Sequence, residues 1–115
     1  DLISMHVPHT PLTDKMLNKN FLDRMKPTSF LINTCRGSVV DQEALKNALI
    51  KGDIEGAALD VFAEEPPSDE KFLSLPNLMV TPHIGGNAKE AIEAMGRSAI
   101  DHLVAFFNDP LSTNK

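Results

Sequence analysis

Short apolar runs alternate along this chain with stretches that have helical spacing. Four runs are short enough to be single β-strands: residues 2–7, 29–33, 56–62 and 78–80. The run at 29–33 is almost continuously apolar, which is typical of a parallel-sheet strand covered on both faces. Pro8 closes the first run, because proline cannot continue a central ladder.

Three stretches have the spacing of helices. Residues 13–25 predict one or two short helices that stop before Pro27. Asp41 is a plausible N-cap for a helix that ends at Gly52, where glycine supplies the left-handed stop. The longest helix begins near Asn87 and carries one apolar stripe, formed by Ala88, Ile92, Met95, Ala99, Leu103 and Phe106.

The segments that remain are polar. Residues 64–76 predict a proline-rich loop, and residues 109–115 predict a frayed tail. Because strands are separated by helices, the pattern predicts an α/β fold with a mainly parallel sheet flanked by helices.

Composition narrows the range of partners. The chain has 115 residues, of which 42% are hydrophobic, so we expect at most one compact domain. Its net charge is -5 and its basic residues are scattered, so we expect no nucleic-acid partner. The apolar runs are far shorter than the roughly 20 residues that cross a bilayer, so we expect no membrane association. The single cysteine, Cys35, forms no internal disulfide and fits a reducing, cytoplasmic location.

Three chemically capable side chains follow three of the predicted strands: Arg36, Glu65 and His83. The carboxyl ends of parallel strands lie at one edge of a sheet, so we expect these side chains to converge on one cleft. Arg36 offers a planar fork of donors that suits a carboxylate. His83 can take and return a proton near neutral pH, and a neighbouring Glu65 would fix its tautomer.

Each of these residues also has a purely structural interpretation. Arg36 can be an ordinary surface cation, His83 can simply pack in a turn between Pro82 and Gly85, and Glu65 can be a solvated loop acid. Sequence spacing alone leaves these alternatives open.

Other candidates point more weakly to chemistry. His6 and His9 flank Pro8 at a strand end, where a structural role is the more frequent one. Cys35 suggests a thiol nucleophile, but a small thiol after a buried strand is commonly inert packing. No two histidines have the i, i+4 spacing of helical zinc motifs, so we expect no metal site.

Four consecutive segments together carry a family resemblance: MHVPHTPLTDKML, FLINTCRGSVVDQEAL, GAALDVFAEEPP and TPHIGG. With these motifs, the chain resembles the later part of the nucleotide-binding domain of the D-isomer-specific 2-hydroxyacid dehydrogenases. The resemblance implies a partial Rossmann-like domain spanning residues 1–115. It also implies that Arg36 binds the substrate, that His83 is the acid/base, and that Glu65 pairs with this histidine.

The same resemblance implies NAD as the cofactor, with NADP left open. The implied cofactor-binding residues are Pro8, Cys35, Arg36, Asp60, His83 and Gly85. Asp60 is expected to bond the nicotinamide carboxamide, while Cys35 and Arg36 line the ring through their backbone. Pro8 and Gly85 fall where the family lines the nicotinamide ribose and the ring.

The implied activity is hydride transfer between a nicotinamide cofactor and the 2-carbon of a small D-2-hydroxy acid or 2-oxo acid. The family's formate-oxidising branch carries Gln in place of Glu65, so this residue favours a hydroxy acid over formate. The alternative is a truncated, non-catalytic NAD-binding and dimerisation module, similar to the family's co-repressor relatives.

The resemblance also shows which parts of the family are missing from this chain. The G-x-G-x-x-G turn and the substrate domain are not among its 115 residues, and the chain opens at Asp1. We therefore interpret the chain as a fragment or a truncated product. In isolation it is expected to be inactive, and in the complete protein it is expected to form a homodimer.

Overall fold

Four parallel strands form one sheet in the order β1-β2-β3-β4. They are β1 (Leu2–Met5), β2 (Phe30–Asn33), β3 (Gly56–Leu59) and β4 (Leu78–Val80). The structure is a computed structural model that describes residues 1–108. The chain divides into two units, of which the first comprises residues 1–84 and the second begins at Gly85. The parallel α/β prediction is confirmed.

The strand register brings the carboxyl ends of the strands level with one another. Asn33 at the end of β2 pairs with Met5 on one side and with Leu59 on the other, and Leu59 pairs with Val80. β1 and β3 are shorter than predicted, because the chain leaves the ladder after Met5 and after Leu59. The loops after β2, β3 and β4 therefore start side by side.

The ten-residue helix α2 (Gln42–Lys51) has the ends that its sequence predicts. The Asp41 carboxylate accepts a hydrogen bond from the Ala44 N–H at 3.1 Å, and Gly52 ends the helix with a φ of 74°. A left-handed residue at this point is accommodated by glycine without steric penalty. The helix packs its apolar side into the core.

Two one-turn helices compare differently with the sequence expectations. In residues 13–25 the described helix is α1 (Lys19–Leu22), which confirms one short helix, and the rest of this stretch is mostly turns. The segment predicted as a loop, 64–76, contains α3 (Glu70–Leu73), so that prediction was wrong there. α3 forms because Asp69 caps it and Phe72 is completely buried, so packing overrides the polar composition.

The core of the first unit lies on one face of the sheet. Its largest fully buried side chains come from β2, from α1, α2 and α3, and from the connecting turns: Leu17, Leu22, Leu31, Leu45, Ile54 and Phe72. The opposite face is open at Phe30, which is 46% exposed, so the predicted burial of β2 on both faces was wrong at this residue.

The second unit contains the long helix α4 (Lys89–Asn108). This helix confirms the predicted longest element, and its apolar stripe is exposed, with Ile92, Met95 and Leu103 each more than half accessible. The predicted tail at 109–115 lies outside the described residues. None of the helices in residues 1–108 is long and apolar enough to span a lipid bilayer.

Candidate functional site

The loop after β3 and the loop after β4 meet through a hydrogen bond between Glu65 and His83. His83 Nδ1 lies 2.8 Å from Glu65 Oε2, and the Phe62 N–H donates to the other carboxylate oxygen at 2.9 Å. Both oxygens of Glu65 are thus occupied by groups that hold the side chain in place. We refer to Glu65 and His83 as the dyad.

The hydrogen bonds of Glu65 fix the protonation of the dyad. The bond from His83, together with the N–H of Phe62, lowers the pKa of Glu65 below its ordinary value. An ionised carboxylate only accepts hydrogen bonds, so the proton between the two residues belongs to His83 Nδ1. His83 Nε2 is then the ring nitrogen that does not face Glu65. The side chains of His83 and Glu65 are 51% and 39% exposed, so a ligand can reach them.

His83 stands in a turn that is fixed from both sides. Its φ is 54°, in the left-handed region that non-glycine residues occupy only with support from their surroundings. The support comes from the buried Asp60, whose Oδ1 accepts hydrogen bonds from Thr81 Oγ1 at 2.5 Å and from the Ile84 N–H at 2.9 Å. The end of β3 therefore holds the turn that presents the imidazole.

Arg36 lies on the turn after β2 and is exposed. Its Nη1 donates to the Cys35 carbonyl oxygen at 2.6 Å. In residues 1–108 no hydrogen bond or ion pair joins its guanidinium to Glu65 or His83. The structure thus brings Glu65 and His83 into contact and leaves Arg36 as a separate cation on the adjacent loop.

The Arg36 loop nevertheless packs against the loop that carries Glu65. A Cβ atom added to Gly37 would lie 1.9 Å from the Phe62 carbonyl carbon and 2.4 Å from the Ala63 nitrogen. Only a glycine allows the two backbones to approach this closely. The Phe62 N–H also donates the hydrogen bond that holds Glu65. The backbone at Phe62 therefore contacts both the Glu65 side chain and Gly37, the residue that follows Arg36.

An apolar cleft of about 510 Å³ lies beside the dyad. Glu65 and His83 line it together with apolar side chains that include Phe62, Leu73 and Val80. Its size falls in the range of small-ligand sites. The dyad therefore lines a cleft that a small ligand can enter.

The remaining predicted cofactor residues are distributed along the chain. The Pro8 carbonyl, in the loop after β1, accepts a hydrogen bond from Thr13 Oγ1 at 2.7 Å. Cys35 is partly buried, and its thiol donates to Asn33 Oδ1 at 3.1 Å. Gly85 is the first residue of the second unit.

The two weaker histidine candidates have local partners. His6 Nε2 lies 2.8 Å from Ser4 Oγ, and His9 Nε2 lies 3.0 Å from Asp14 Oδ1. Both pairs are close neighbours in sequence, as expected of structural residues. Across residues 1–108, no three His, Cys, Asp or Glu side chains are grouped so that they could hold a metal ion.

Residues 1–85 match the family model described as the D-isomer specific 2-hydroxyacid dehydrogenase, NAD binding domain. The chain belongs to this family. The match covers the four strands and the dyad, so it includes the whole of the first unit.

Curated relatives of the family are similar along most of the chain. The glyoxylate reductase of Thermococcus litoralis is 46% identical over 114 residues, which are 99% of this chain and 34% of that protein. The glycerate dehydrogenase of Methylorubrum extorquens is 46% identical over 109 residues, 92% of this chain and 35% of that protein. The chain therefore spans about a third of the length of the curated relatives it matches.

A solved member of the family has the same fold. It is the NADPH-dependent glyoxylate/hydroxypyruvate reductase of Sinorhizobium meliloti in complex with NADP and malonate, with a TM-score of 0.86 and 41% identity. The superposition covers 94% of this chain and 34% of that one. These relatives are named as reductases and dehydrogenases, and they give no support to the non-catalytic, co-repressor-like alternative.

Two residues of this candidate site were missed by sequence reasoning. Asn33 is buried under the Arg36 turn, and Thr81 bonds Asp60 beside His83. A signal was available for the first, because an asparagine at the end of an apolar run often bonds the backbone that follows it. Thr81 carried no comparable signal, since its partner is 21 residues away.

Proposed function

We propose that this chain supplies the catalytic half of the NAD(P)-binding domain of a 2-hydroxyacid dehydrogenase that interconverts a small 2-oxo acid and its D-2-hydroxy acid. The observation that carries the proposal is the hydrogen bond between His83 Nδ1 and Glu65 Oε2 at 2.8 Å, inside an accessible cleft. The names of the relatives, glyoxylate reductase and glycerate dehydrogenase, support this class of substrate.

We propose that the carboxyl edge holds the nicotinamide carboxamide, which brings two N–H donors and one carbonyl. The groups that we assign to it are the buried Asp60 carboxylate and the backbone of Cys35 and Arg36. When bound, NAD or NADP supplies the hydride chemistry. Pro8 and Gly85 stay predicted cofactor contacts on the strength of the resemblance. We propose NAD as the cofactor and keep NADP open, because the Sinorhizobium meliloti relative holds NADP.

His83, Glu65 and Arg36 have different roles toward the substrate. In the direction of reduction, His83 donates a proton from Nε2 to the 2-oxo oxygen, while Glu65 holds Nδ1 and balances the charge of the imidazolium. In oxidation the same nitrogen takes the proton of the 2-hydroxyl. Arg36 binds the substrate carboxylate with its forked donors. Glu65 also favours a hydroxy acid over formate, because formate oxidation requires no proton shuttle.

The setting of the complete protein is part of the proposal. We propose that residues 1–115 form the catalytic part of the NAD-binding domain, and that the Gly-rich phosphate turn and the substrate domain are not among them. We also propose a homodimer, as the family resemblance implies. The unpaired Cys35 supports a reducing, cytoplasmic location.

The test compares two histidine variants of the full-length protein in the reduction of glyoxylate and hydroxypyruvate by NADH or NADPH. We expect turnover by the unmodified protein and a loss of about a hundredfold or more in kcat for His83→Ala, the scale that general acid–base catalysis supplies. His9→Ala is the matched control, because His9 also pairs with a carboxylate, 3.0 Å away, and it should retain turnover.

Two outcomes would contradict the proposal. If the protein binds NADH and reduces no 2-oxo acid, the non-catalytic module is the better interpretation. If His83→Ala turns over at the rate of His9→Ala, the dyad has no part in the reaction.

A further inference from the structure

Asn33 is an uncharged polar residue buried where the chain would otherwise place an apolar side chain. It ends β2 and is 1% exposed, and in residues 1–108 the other buried polar residues are Ser29 and Asp60. Its side chain shares the core face of β2 with Leu31, which is fully buried. Burying an amide is unfavourable unless its hydrogen bonds are made, so its contacts require an explanation.

The amide of Asn33 makes its hydrogen bonds to the turn that carries Arg36. Its Nδ2 donates to the Arg36 carbonyl oxygen at 2.9 Å, and its Oδ1 accepts from the Cys35 N–H and the Cys35 thiol, both at 3.1 Å. One side chain thus supplies both a donor and an acceptor to two successive residues. An ionised carboxylate of the same size would supply acceptors only, so it would not provide this pair of contacts.

Asn33 also connects this turn to the one that presents His83. The main-chain carbonyl oxygen of Asn33 accepts a hydrogen bond from the Asp60 N–H at 3.0 Å. The Asp60 carboxylate in turn accepts from Thr81 and from Ile84, one on each side of the imidazole. Two buried residues therefore link the backbone at Arg36 to the backbone around His83.

We propose that Asn33 is a positioning residue for substrate binding: it fixes the turn from which Arg36 reaches the substrate carboxylate. The side chain of Arg36 is exposed, and its one described hydrogen bond is to the neighbouring Cys35 carbonyl. The backbone turn is therefore the element that sets where this long side chain starts. Small displacements of a binding group reduce rates severely. The inference rests on the proposed function of Arg36.

The test is a double-mutant cycle in the full-length protein, with glyoxylate reduction as the readout. Asn33→Asp keeps the volume and the acceptor for the Cys35 N–H but removes the donor to the Arg36 carbonyl, and Asn33→Ala removes both contacts. We expect each variant to raise KM for glyoxylate by about tenfold or more, with a smaller effect on kcat. In an Arg36→Lys background the same changes should add almost nothing, because the group they position is gone.

Asn77 offers a matched control for stability. It is partly buried, and its Nδ2 donates to the Leu49 carbonyl oxygen at 3.1 Å, at the opposite edge of the sheet. Asn77→Ala should lower the thermal unfolding temperature while leaving KM for glyoxylate unchanged. If Asn33→Ala fails to fold, Asn33→Asp carries the comparison.

The outcomes separate this inference from the proposed function. An unchanged KM in the Asn33 variants, or an increase that is equal in the unmodified and the Arg36→Lys backgrounds, would overturn the positioning role. If Arg36→Lys alone leaves KM unchanged, the proposed function of Arg36 fails first, whatever Asn33 does.

Discussion

The two edges of the parallel sheet close their turns by different means. At the amino edge the bonds run mainly between backbone groups, as in the hydrogen bonds from the Glu55 N–H to the Ser29 carbonyl and from the Ala57 N–H to the Asn77 carbonyl, each 3.0 Å long. At the carboxyl edge, the buried side chains of Asn33 and Asp60 bond the backbone of the following turns.

The difference shows where the fold requires fixed side-chain positions. Backbone bonds are sufficient to turn the chain, as the amino edge demonstrates. A buried amide and a buried carboxylate are tolerated only when their hydrogen bonds are satisfied, so their concentration at one edge indicates a local requirement beyond chain reversal. The turns that they hold carry Arg36 and His83, the residues that we assign to the substrate.

We expect the largest effect from a substitution that separates two loops of the carboxyl edge, the one that carries Arg36 and the one that carries Glu65. Gly37→Ala would bring a Cβ atom within 2.0 Å of the Phe62 carbonyl oxygen, so the backbone must move. We expect a loss of about 1–3 kcal/mol in the free energy of unfolding, the usual result of overpacking. Chemical denaturation measures this loss, and kcat/KM for glyoxylate should fall as well.

Gly56→Ala is the corresponding change at the amino edge. There the added Cβ atom would lie 2.9 Å from the Asn77 carbonyl oxygen and 3.2 Å from the Phe30 ring, a milder contact. We expect a smaller loss of stability and no change in KM. Equal effects at the two edges, or a Gly37→Ala variant as stable as the unmodified protein, would contradict the loop contact.

Glu65→Gln makes a smaller change, since the amide is nearly isosteric with the carboxylate. We expect kcat to fall by at least about tenfold, because a neutral amide no longer balances the imidazolium. The stability effect should depend on pH. The folded-state pKa of Glu65 is lowered, first by the hydrogen bond from His83. A lowered pKa contributes stability above the unfolded value, and this contribution is lost as pH falls through the folded value.

The difference in unfolding free energy between the unmodified protein and Glu65→Gln should therefore be constant near neutral pH and shrink in acid. Asp69→Asn is the matched control. The pKa of Asp69 is also lowered, first by the hydrogen bond that Lys46 donates to it, so its stability profile should have the same sign. Asp69 does not line the cleft beside the dyad, and its side chain bonds Lys46 and the Phe72 N–H, so kcat of Asp69→Asn should be unchanged. Two results would contradict this account of the dyad: a difference in unfolding free energy between the unmodified protein and Glu65→Gln that grows in acid, or equal losses of kcat in Glu65→Gln and Asp69→Asn.

Local signals made part of this fold predictable. Asp41 and Gly52 define α2 because a capping side chain and a left-handed glycine act within a few residues of the helix. α3 was missed because its decisive feature, the burial of Phe72, depends on packing against the rest of the core. β3 was predicted three residues too long because Asp60, Val61 and Phe62 are buried after the chain has left the ladder.

The site was predictable to the extent that it follows from topology. Parallel strands that end in register bring the loops of Glu65 and His83 together, so the contact of the dyad agrees with the expectation from the sequence. The role of Asn33 was not predictable, because it depends on the geometry of a turn. The direction in which the Arg36 side chain points was not predictable either. A long, exposed side chain has many rotamers, and a bound ligand selects among them as much as the backbone does.

The central claim is that the carboxyl edge presents Arg36 and the dyad to one substrate. The most direct measurement is a crystal structure of the full-length protein with NADP and malonate, a dicarboxylate that resembles a small acid substrate. We expect one malonate carboxylate within hydrogen-bond distance, about 3 Å, of the Arg36 guanidinium, with an oxygen of the same molecule similarly close to His83 Nε2. A bound malonate that touches neither group, or an Arg36 turned away from the ligand that His83 contacts, would contradict the claim.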